Sequence, residues 1–447
     1  MQSINQRLGL RNFLRSRVGI PPQKRSVFAL VSALTGGNLA AMVLRMAGGF
    51  LTARVTPPQV LGLFSGIGLV QGYAPFFSLG ITNGLNRELP YFVGKGDHTR
   101  VRELAAAAQA WVLLLGGLAA AALFGVAVWQ LALGQWALAA GWATNAVTVF
   151  SLFYGTYYLQ ITFRTRGDFA RLALVNVVQS AVSLALVALV WLLAFYGLCL
   201  RAVLVGCAQM ALLWYWRPVK VRPAWNWSHL LHLLKVGAPI FAVGQAYAYW
   251  TTLDSTLVLY YTGARGLGLY ALVGMAGATL QLLPEALSQV LYPQMAEHYG
   301  RTGNVQAVVS SAFRPMVFAW LIVVPLVAAG WLLIPTVVRL LLPKYVDAIP
   351  AAQLSLLVPA MMCFAPVLNV YNVVRRQGLF ALAILLGMAA YYGSLRWLLR
   401  DRVDLSAFPK AMLVGRVIFL AAVYGGLVVV LRQARSQTRS PGLLNAE

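Results

Sequence analysis

Long apolar runs separated by short polar connections make up most of the chain. A helix needs roughly 20 apolar residues to cross a bilayer, and the runs reach about that length. The pattern therefore predicts twelve membrane-spanning helices, joined by connections too short to hold a soluble domain. The predicted spans are 27–53, 60–86, 104–130, 136–161, 170–195, 197–216, 236–262, 268–292, 315–342, 350–374, 378–399 and 408–431.

Three boundaries between these spans rest on short sequences. Only Tyr196–Gly197 separates the fifth span from the sixth. The turns after the first and seventh spans contain Thr56-Pro57-Pro58 and Gly263-Ala264-Arg265-Gly266. Proline and glycine are the usual turn-forming residues, so we expect the chain to reverse at these points.

The composition agrees with a polytopic membrane protein. Of the 447 residues, 60% are hydrophobic and 10% are charged. Soluble domains are about 45–50% apolar and about 25% charged, which excludes an ordinary soluble enzyme. Disordered chains have few apolar residues, so this class is excluded as well. The cysteines lie in apolar runs, and His229 and His232 have no third ligand near them in sequence, so no metal or other cofactor is expected.

The positive charges predict the orientation in the membrane. The chain has 35 lysines and arginines, of which 24 fall on one side of the predicted helices and nine on the other. Cytoplasmic loops carry the excess of such residues, so both termini are expected in the cytoplasm. This accounts for the net charge of +24 without a nucleic-acid partner. Residues 1–26 are interpreted as a basic cytoplasmic segment that contacts anionic lipid, rather than a cleaved signal.

A weak internal repeat divides the chain into two lobes. The segment Leu61–Phe64 matches Leu267–Tyr270 at an offset of 206 residues, and the same offset relates Gly94 to Gly300. Parallel repeats predict two six-helix lobes around a central cavity. The expected domains are the lobes 27–216 and 236–431, the cytoplasmic linker 217–235 and the cytoplasmic tail 432–447.

Polar residues recur at helical spacing on four of the spans, two in each lobe. Such faces are costly in lipid, so they point into the bundle or into a wet cavity. The alternative is that the uncharged residues form hydrogen bonds between helices. The stripes are Thr35, Asn38, Met42, Arg45, Gly49 and Thr52; Gln71, Pro75, Ser78, Thr82 and Asn86; Gly244, Tyr247, Thr251 and Asp254; and Gln281, Glu285, Ser288 and Tyr292.

Charged residues inside the membrane are the strongest functional candidates. Arg45, Asp254 and Glu285 lie within predicted spans, and an intramembrane charge needs a partner or water. Arg45 and Asp254 are therefore expected to pair across the lobes, either for function or for structure alone. Four further arginines nearer the outer helix ends are expected to extend to the headgroups: Arg201, Arg339, Arg396 and Arg416, the last of which alternatively borders the cavity.

The connection Asn86–Asp97 is the most distinctive string of the chain. Its Gly-x-Gly-Asp sequence is not a phosphate-binding loop, because no strand precedes it and no Gly-Lys-Ser or Gly-Lys-Thr follows. Arg87 and Glu88 are expected to form either a local ion pair or a cytoplasmic gate.

Several segments together resemble a known family. They are Leu51–Arg54, Pro57, Gly62 and Phe64, Leu79–Ile81 and Asn86–Asp97. They resemble the oligosaccharide flippases of the multidrug/oligosaccharidyl-lipid/polysaccharide exporter superfamily, in particular the bacterial O-antigen and polysaccharide-unit flippases. The resemblance implies a V-shaped bundle that exports a polyprenyl-diphosphate-linked glycan across the bacterial inner membrane. It also implies an arginine of the first helix that lines a cationic cavity, which Arg45 fits.

The expected mechanism is alternating access, with the glycan headgroup in the central cavity and the polyprenyl tail in lipid. Arg45 would bind the diphosphate through charge-assisted hydrogen bonds. The carboxyl groups of Asp254 and Glu285 would exchange protons, although Na⁺ is an equal alternative as coupling ion. The expected partners are the glycan lipid, membrane lipids and other polysaccharide-assembly proteins. The predicted substrate-binding residues are Arg45, Asn38, Gln71, Tyr247, Thr251 and Gln281.

Three other functions remain open at this point. Asp254, Glu285 and Tyr247 would also suit a multidrug exporter for organic cations. A lipid II flippase belongs to the same superfamily. A membrane glycosyltransferase is the most distant alternative, because no Asp-x-Asp sequence and no large outer loop is present.

Overall fold

A computed structural model of the chain describes residues 27–374 and 376–439. Every regular element in this part is helical. The helices form twelve successive segments: α1 Val27–Val55; α2 Pro58–Gly68, Val70–Tyr73 and Ile81–Gly94; α3 His98–Ala132; α4 Trp136–Ser151 to Gln160–Arg166; α5 Phe169–Ala185; α6 Val187–Trp216; α7 and α8 within Trp227–Thr302; α9 Val305–Leu341; α10 Ile349–Ser355, Leu357–Met362 and Asn369–Val373; α11 Gln377–Leu398; and α12 Ala407–Arg439. The segment 1–26, predicted to be a cytoplasmic tail, lies outside the described residues.

Nine stretches among the described residues are long and apolar enough to cross a membrane. One of them, Gly244–Glu285, contains the break between α7 and α8 and so accounts for two spans. The apolar helix Phe169–Ala185 and the helix Val27–Val55 supply the other two. The twelve predicted spans therefore all correspond to helices of the structure.

The chain reversals between α5 and α6 and between α7 and α8 lie near their predicted positions. Within Val187–Trp216 the backbone leaves the helical region at Ala194, two residues before the predicted break. Hydrogen bonds between Gln179 and Gln209, and between Ser183 and Arg201, join the chain on either side of this point. Gly263, with φ 68° and ψ −171°, likewise separates α7 from α8. Both pairs of spans are therefore antiparallel hairpins.

Each lobe has its own apolar core. Leu85, Leu104 and Phe153 lie in the N-terminal core, and Trp250 and Phe419 in the C-terminal one. All five side chains are fully buried, so each lobe excludes lipid and water from its centre.

The segment 217–235 was expected to be a linker between the lobes, but much of it belongs to the N-terminal core. Val219, Leu230 and Leu233 are buried there against residues of α2 and α3. The helix that becomes α7 already begins at Trp227, and its first turns are docked on the N-terminal lobe. At the other end, α12 continues to Arg439, so residues 432–439 of the predicted cytoplasmic tail are helical.

The lobes meet where α2 crosses α7 and α8. A Cβ at Gly62 would lie 2.7 Å from the backbone nitrogen of Gly268, and a Cβ at Gly237 would lie 1.9 Å from the carbonyl oxygen of Gly80. These distances require glycine, because no side chain fits where the backbones touch. Close packing of small residues is a common way for membrane helices to associate.

Candidate substrate cavity

A cavity of about 520 Å³ opens between the lobes, lined by α2, α7, α8, α10 and α12. Five of the predicted site residues line it: Tyr247, Thr251, Asp254, Gln281 and Glu285. All five come from the polar stripes of α7 and α8. The structure therefore brings the predicted polar faces of the C-terminal lobe together around one space.

Hydrogen bonds hold the carboxyl group of Asp254 in place in this cavity. The carboxyl group is buried and accepts hydrogen bonds from the hydroxyls of Tyr270, at 2.8 Å, and Tyr391, at 2.7 Å. The two bonds use different carboxyl oxygens and connect α7 to α8 and α11. A buried carboxylate needs such donors, because an unpaired one would cost several kcal/mol, on the order of a lost buried ion pair.

Arg416 completes the cavity, and its role differs from the predicted one. The side chain is only 4% exposed and does not extend to the outer headgroups. Its guanidinium carbon lies 4.1 Å from the ring centre of Trp250 and 4.8 Å from that of Tyr247. Among the described residues its Nε and Nη1 atoms have no hydrogen-bond partner. Arg416 therefore borders the cavity, as the alternative interpretation of this residue had it, and two of its nitrogen atoms are buried without a described partner.

The position of Trp250 depends on two glycines of neighbouring helices. A Cβ at Gly387 would lie 2.7 Å from the indole, and one at Gly415 would lie 2.8 Å from it. The indole therefore fits into a gap between α11 and α12 that larger residues would fill. With Trp250 held there, its face supports the guanidinium of Arg416 by a cation–π interaction.

Arg45 lies apart from this cavity. It lines a second space of about 530 Å³ between α1 and α8–α10, whose other lining residues include Met42, Met46, Leu282 and Leu326. Arg45 is the sole charged residue among those that line this cleft, and the structure gives it no ion pair or hydrogen bond with any described residue. The expected pair of Arg45 with Asp254 is wrong, because the two residues line different cavities and the carboxyl group of Asp254 is bonded to Tyr270 and Tyr391 instead.

Two other predicted binding residues serve the packing of the N-terminal lobe. The side-chain amide of Gln71 donates to Asn145, at 2.8 Å, and to Thr148, at 3.2 Å. Asn38 accepts a hydrogen bond from Asn176 at 3.4 Å. Both residues thus link helices, which is the alternative that the sequence left open for uncharged residues.

Arg201 was predicted to extend to the outer headgroups, but its guanidinium is bonded within the N-terminal lobe. Its guanidinium donates to Thr52 at 2.6 Å and to Ser183 at 2.8 Å. The three residues come from α6, α1 and α5. Arg201 therefore cross-links three helices at their outer ends.

The polar stripe of α2 lines a smaller cavity of about 260 Å³, to which Gln245 of α7 also contributes. Pro75, Ser78, Thr82 and Asn86 contribute to it, together with Arg164 at the end of α4. The prediction that this face points into a polar space is therefore correct, apart from Gln71.

The predicted pair of Arg87 with Glu88 is not formed among the described residues. Glu88 is buried and instead lies 2.9 Å from Nε2 of His232, on the first turns of α7, whereas Arg87 is exposed. One turn earlier, Nε2 of His229 lies 2.8 Å from Arg100 and 3.6 Å from Glu103 of α3. The two histidines thus connect α7 to the N-terminal lobe. The Nε2 atom of each already has a protein partner, and no cluster of three metal-ligating residues occurs among the described residues.

A comparison with known families now identifies the chain. The sequence profile of a family described as "Polysaccharide biosynthesis protein" matches residues 111–350, which is more than half of the chain. The chain belongs to this family. No curated protein matches it in sequence.

Solved structures establish the fold. An inward-facing multidrug resistance MATE family transporter of the MOP superfamily is similar with a TM-score of 0.73 and 15% identity, over 90% of this chain and 96% of that one. An outward-facing structure of such a transporter gives a TM-score of 0.60 and 16% identity, over 92% and 99%. A MOP superfamily transporter from Pyrococcus furiosus, described as having a binding pocket of reverse polarity, gives 0.59 and 16%, over 91% and 95%.

These findings confirm the polytopic all-α fold with two six-helix lobes and the resemblance to polysaccharide exporters of this superfamily. The family is one of polysaccharide biosynthesis proteins, and the fold is the one that these multi-pass membrane transporters have.

Proposed function

We propose that the protein translocates a polyprenyl-diphosphate-linked oligosaccharide, such as an O-antigen unit, from the cytoplasmic to the outer leaflet of a bacterial inner membrane. Transport proceeds by alternating access, with both chain termini in the cytoplasm. The protein moves its substrate without chemically changing it. The family name supports a glycan substrate, and the higher similarity to the inward-facing relative supports an inward-facing state.

One observation carries the choice of substrate. Arg45 is exposed, has no described partner and lies in a cleft whose other lining residues are almost all apolar. A lone cation among methionines and leucines suits a ligand in which an anionic group is attached directly to an apolar chain. A polyprenyl diphosphate has this structure, and guanidinium binds diphosphate through paired hydrogen bonds. The tail then follows the cleft and the diphosphate contacts Arg45.

The central cavity suits the glycan. Tyr247 lines it with an aromatic ring and Arg416 with a guanidinium group, while Thr251 and Gln281 add further polar groups. Sugars expose both hydroxyl groups and apolar C–H faces, so a cavity with both kinds of wall can hold them. Ala278 of α8 lines both spaces, so they adjoin at this helix. One amphiphilic molecule therefore occupies both, with its tail in the cleft beside Arg45 and its glycan in the central cavity.

The experiment is translocation of a fluorescent polyprenyl-diphosphate oligosaccharide in proteoliposomes. Arg45→Ala should reduce transport by one to two orders of magnitude, since a lost hydrogen bond to a charged group costs about 1.5–3 kcal/mol. Arg45→Lys should retain part of the activity. Arg54→Ala is the matched control, because Arg54 lies on the same helix and is exposed at its end.

Transport of an organic cation instead of the glycan lipid would favour the multidrug alternative, which the exposed carboxyl group of Glu285 in the central cavity supports. Transport of lipid II in preference to other glycan lipids would favour the alternative of a lipid II flippase. Equal transport by wild type and Arg45→Ala would contradict the role of Arg45 and leave only the family assignment.

A further inference from the structure

A strongly basic cavity lies at the ends of α4 and α6, away from both spaces described above. It has a volume of about 540 Å³. Its charged lining residues are four cations and one carboxylate: Arg166, Arg171, Arg217, Lys220 and Asp168. The cavity lies on the side of the membrane that the charge distribution predicts to be cytoplasmic.

The positive charge of this cavity is mostly uncompensated. Arg171 pairs with Asp168 at 3.1 Å, which neutralises the carboxylate. The structure gives Arg166, Arg217 and Lys220 no ion pair with any described residue. The guanidinium of Arg217 lies 4.5 Å from the ring centre of Trp214, which fixes its position without reducing its charge. These three unpaired cations, one of which is held in place by Trp214, form a site for an anion.

Local backbone geometry brings these residues together. The helix of α4 ends at Arg166, and Gly167 has φ 69°, a conformation that favours glycine and reverses the chain into α5. The helix of α6 ends at Trp216, and Arg217 has φ −51° and ψ 125°, so the chain turns away there before Pro218. The two chain reversals thus form the walls of the cavity. They lie at helix ends, where the cations avoid the cost of a charge at the centre of the bilayer.

Exposed aromatic residues mark the lipid boundary beside the cavity. Trp214 is 52% exposed and Tyr215, which lines the cavity, is 73% exposed. Tryptophan and tyrosine are enriched where membrane helices pass the headgroups. The cavity is therefore open at the level where lipid phosphates lie.

We propose that this cavity binds the phosphate group of an anionic phospholipid headgroup of the cytoplasmic leaflet. Basic pockets at the cytoplasmic ends of membrane helices are suited to such lipids. Inorganic phosphate offers the same anionic chemistry, but the exposed Trp214 and Tyr215 beside the cations favour a ligand with acyl chains. The bound headgroup joins the α4–α5 turn to the end of α6 and so stabilises the N-terminal lobe. The leaflet rests on the proposed orientation, whereas the site itself does not depend on the transported substrate.

The test measures binding of phosphatidylglycerol to the full chain in nanodiscs. Lipid bound per protein is determined by native mass spectrometry, and thermal stability is followed in parallel, in phosphatidylglycerol, in phosphatidylcholine and in phosphatidylcholine with inorganic phosphate. Phosphatidylglycerol should bind the wild type and raise its melting temperature. The variant Arg166→Gln/Arg217→Gln should bind at least tenfold more weakly, since each cation near a membrane surface contributes about fivefold in affinity.

The control variant is Lys95→Gln/Arg102→Gln, which removes one exposed cation after α2 and another from the first turns of α3, both outside this cavity. It should bind phosphatidylglycerol as the wild type does. Equal weakening in both variants would overturn the proposal, because binding would then reflect net charge only. Stabilisation of the wild type by inorganic phosphate without a preference for the lipid would overturn the lipid assignment. Lys220→Gln, at an exposed residue, provides a second test if the double variant does not fold.

Discussion

Gly62 and Gly268, related by the 206-residue offset, contact each other reciprocally across the lobe interface. A Cβ at Gly62 would lie 1.6 Å from the carbonyl oxygen of Ala264, and a Cβ at Gly268 would lie 1.8 Å from that of Pro58. Pro58 and Ala264 are related by the same offset. The contact therefore obeys the symmetry of the repeat, in which residue i touches j and j touches i. The pseudo-two-fold axis passes between the two glycines.

This contact predicts the effect of Gly62→Ala. The added Cβ meets backbone rather than a movable side chain, so the lobes must separate at this end. We expect transport to fall by at least about tenfold, which corresponds to about 1.4 kcal/mol. The distance between spin labels at Arg54 and Arg265, both exposed near the outer turns, should increase.

Gly268→Ala should have the same effect, because its contact is the symmetric equivalent. Gly125→Ala is the control, since a Cβ at Gly125 of α3 meets no atom within 4 Å. Unchanged label distances in both Gly62→Ala and Gly268→Ala would show that the lobes do not need this contact.

A second prediction concerns the hydroxyls that hold Asp254. Tyr270→Phe removes one donor from a buried carboxyl group and leaves the ring in place. Leaving such a group unsatisfied costs about 1–3 kcal/mol, so the melting temperature in detergent should decrease. The control is Tyr260→Phe, which should leave the melting temperature unchanged because Tyr260 is 79% exposed. Tyr371→Phe would not serve as a control, because the hydroxyl of Tyr371 donates a hydrogen bond to the carbonyl oxygen of Val423. A Tyr270→Phe protein as stable as the wild type would argue against an anchoring role.

A third prediction concerns pH and His229. Burial, followed by the positive charge of Arg100, lowers the pKa of His229 below 6.5, and Glu103 opposes this only in part. The folded protein thus binds the proton less readily than the unfolded chain. The contribution of His229 to stability is full above pH 6.5 and is lost as the pH falls from 6.5 towards the lowered pKa.

The melting temperature of the wild type should therefore decrease more between pH 7 and pH 5.5 than that of His229→Gln. The pair Glu88–His232 is present in both proteins, so the comparison isolates His229 together with its charge interaction with His232. His298→Gln, which changes a histidine at the far end of α8, should retain the full dependence. An identical slope in wild type and His229→Gln would exclude His229 as its source.

The sequence predicted those features whose cause is local. The helix breaks at Pro57–Pro58 and Gly263 follow from turn-forming residues, and the polar stripe of α2 follows from helical spacing. The prediction for Arg416 was wrong because its partners are distant in sequence. Trp250 is 166 residues away and reaches Arg416 only through the gap beside Gly387. Likewise, the pair of Arg45 with Asp254 was predicted from opposite charge alone, and it was wrong because the two residues line different cavities. Gly415, directly before Arg416, was the sequence signal that α12 packs closely against Trp250.

The two carboxyl groups of the central cavity should differ in transport. Both oxygens of Asp254 accept tyrosine hydroxyls, whereas Glu285 is exposed to the cavity and the structure gives it no ion pair or hydrogen bond with any described residue. A free carboxyl group can exchange an ion without breaking the fold. Glu285→Gln should therefore abolish accumulation driven by an ion gradient but retain exchange of labelled substrate without a gradient. Asp254→Asn should reduce both, because it disturbs the network that fixes the cavity. Proteoliposomes with either a proton or a Na⁺ gradient distinguish the coupling ion, and gradient-driven accumulation by Glu285→Gln at the wild-type rate would assign coupling to another group.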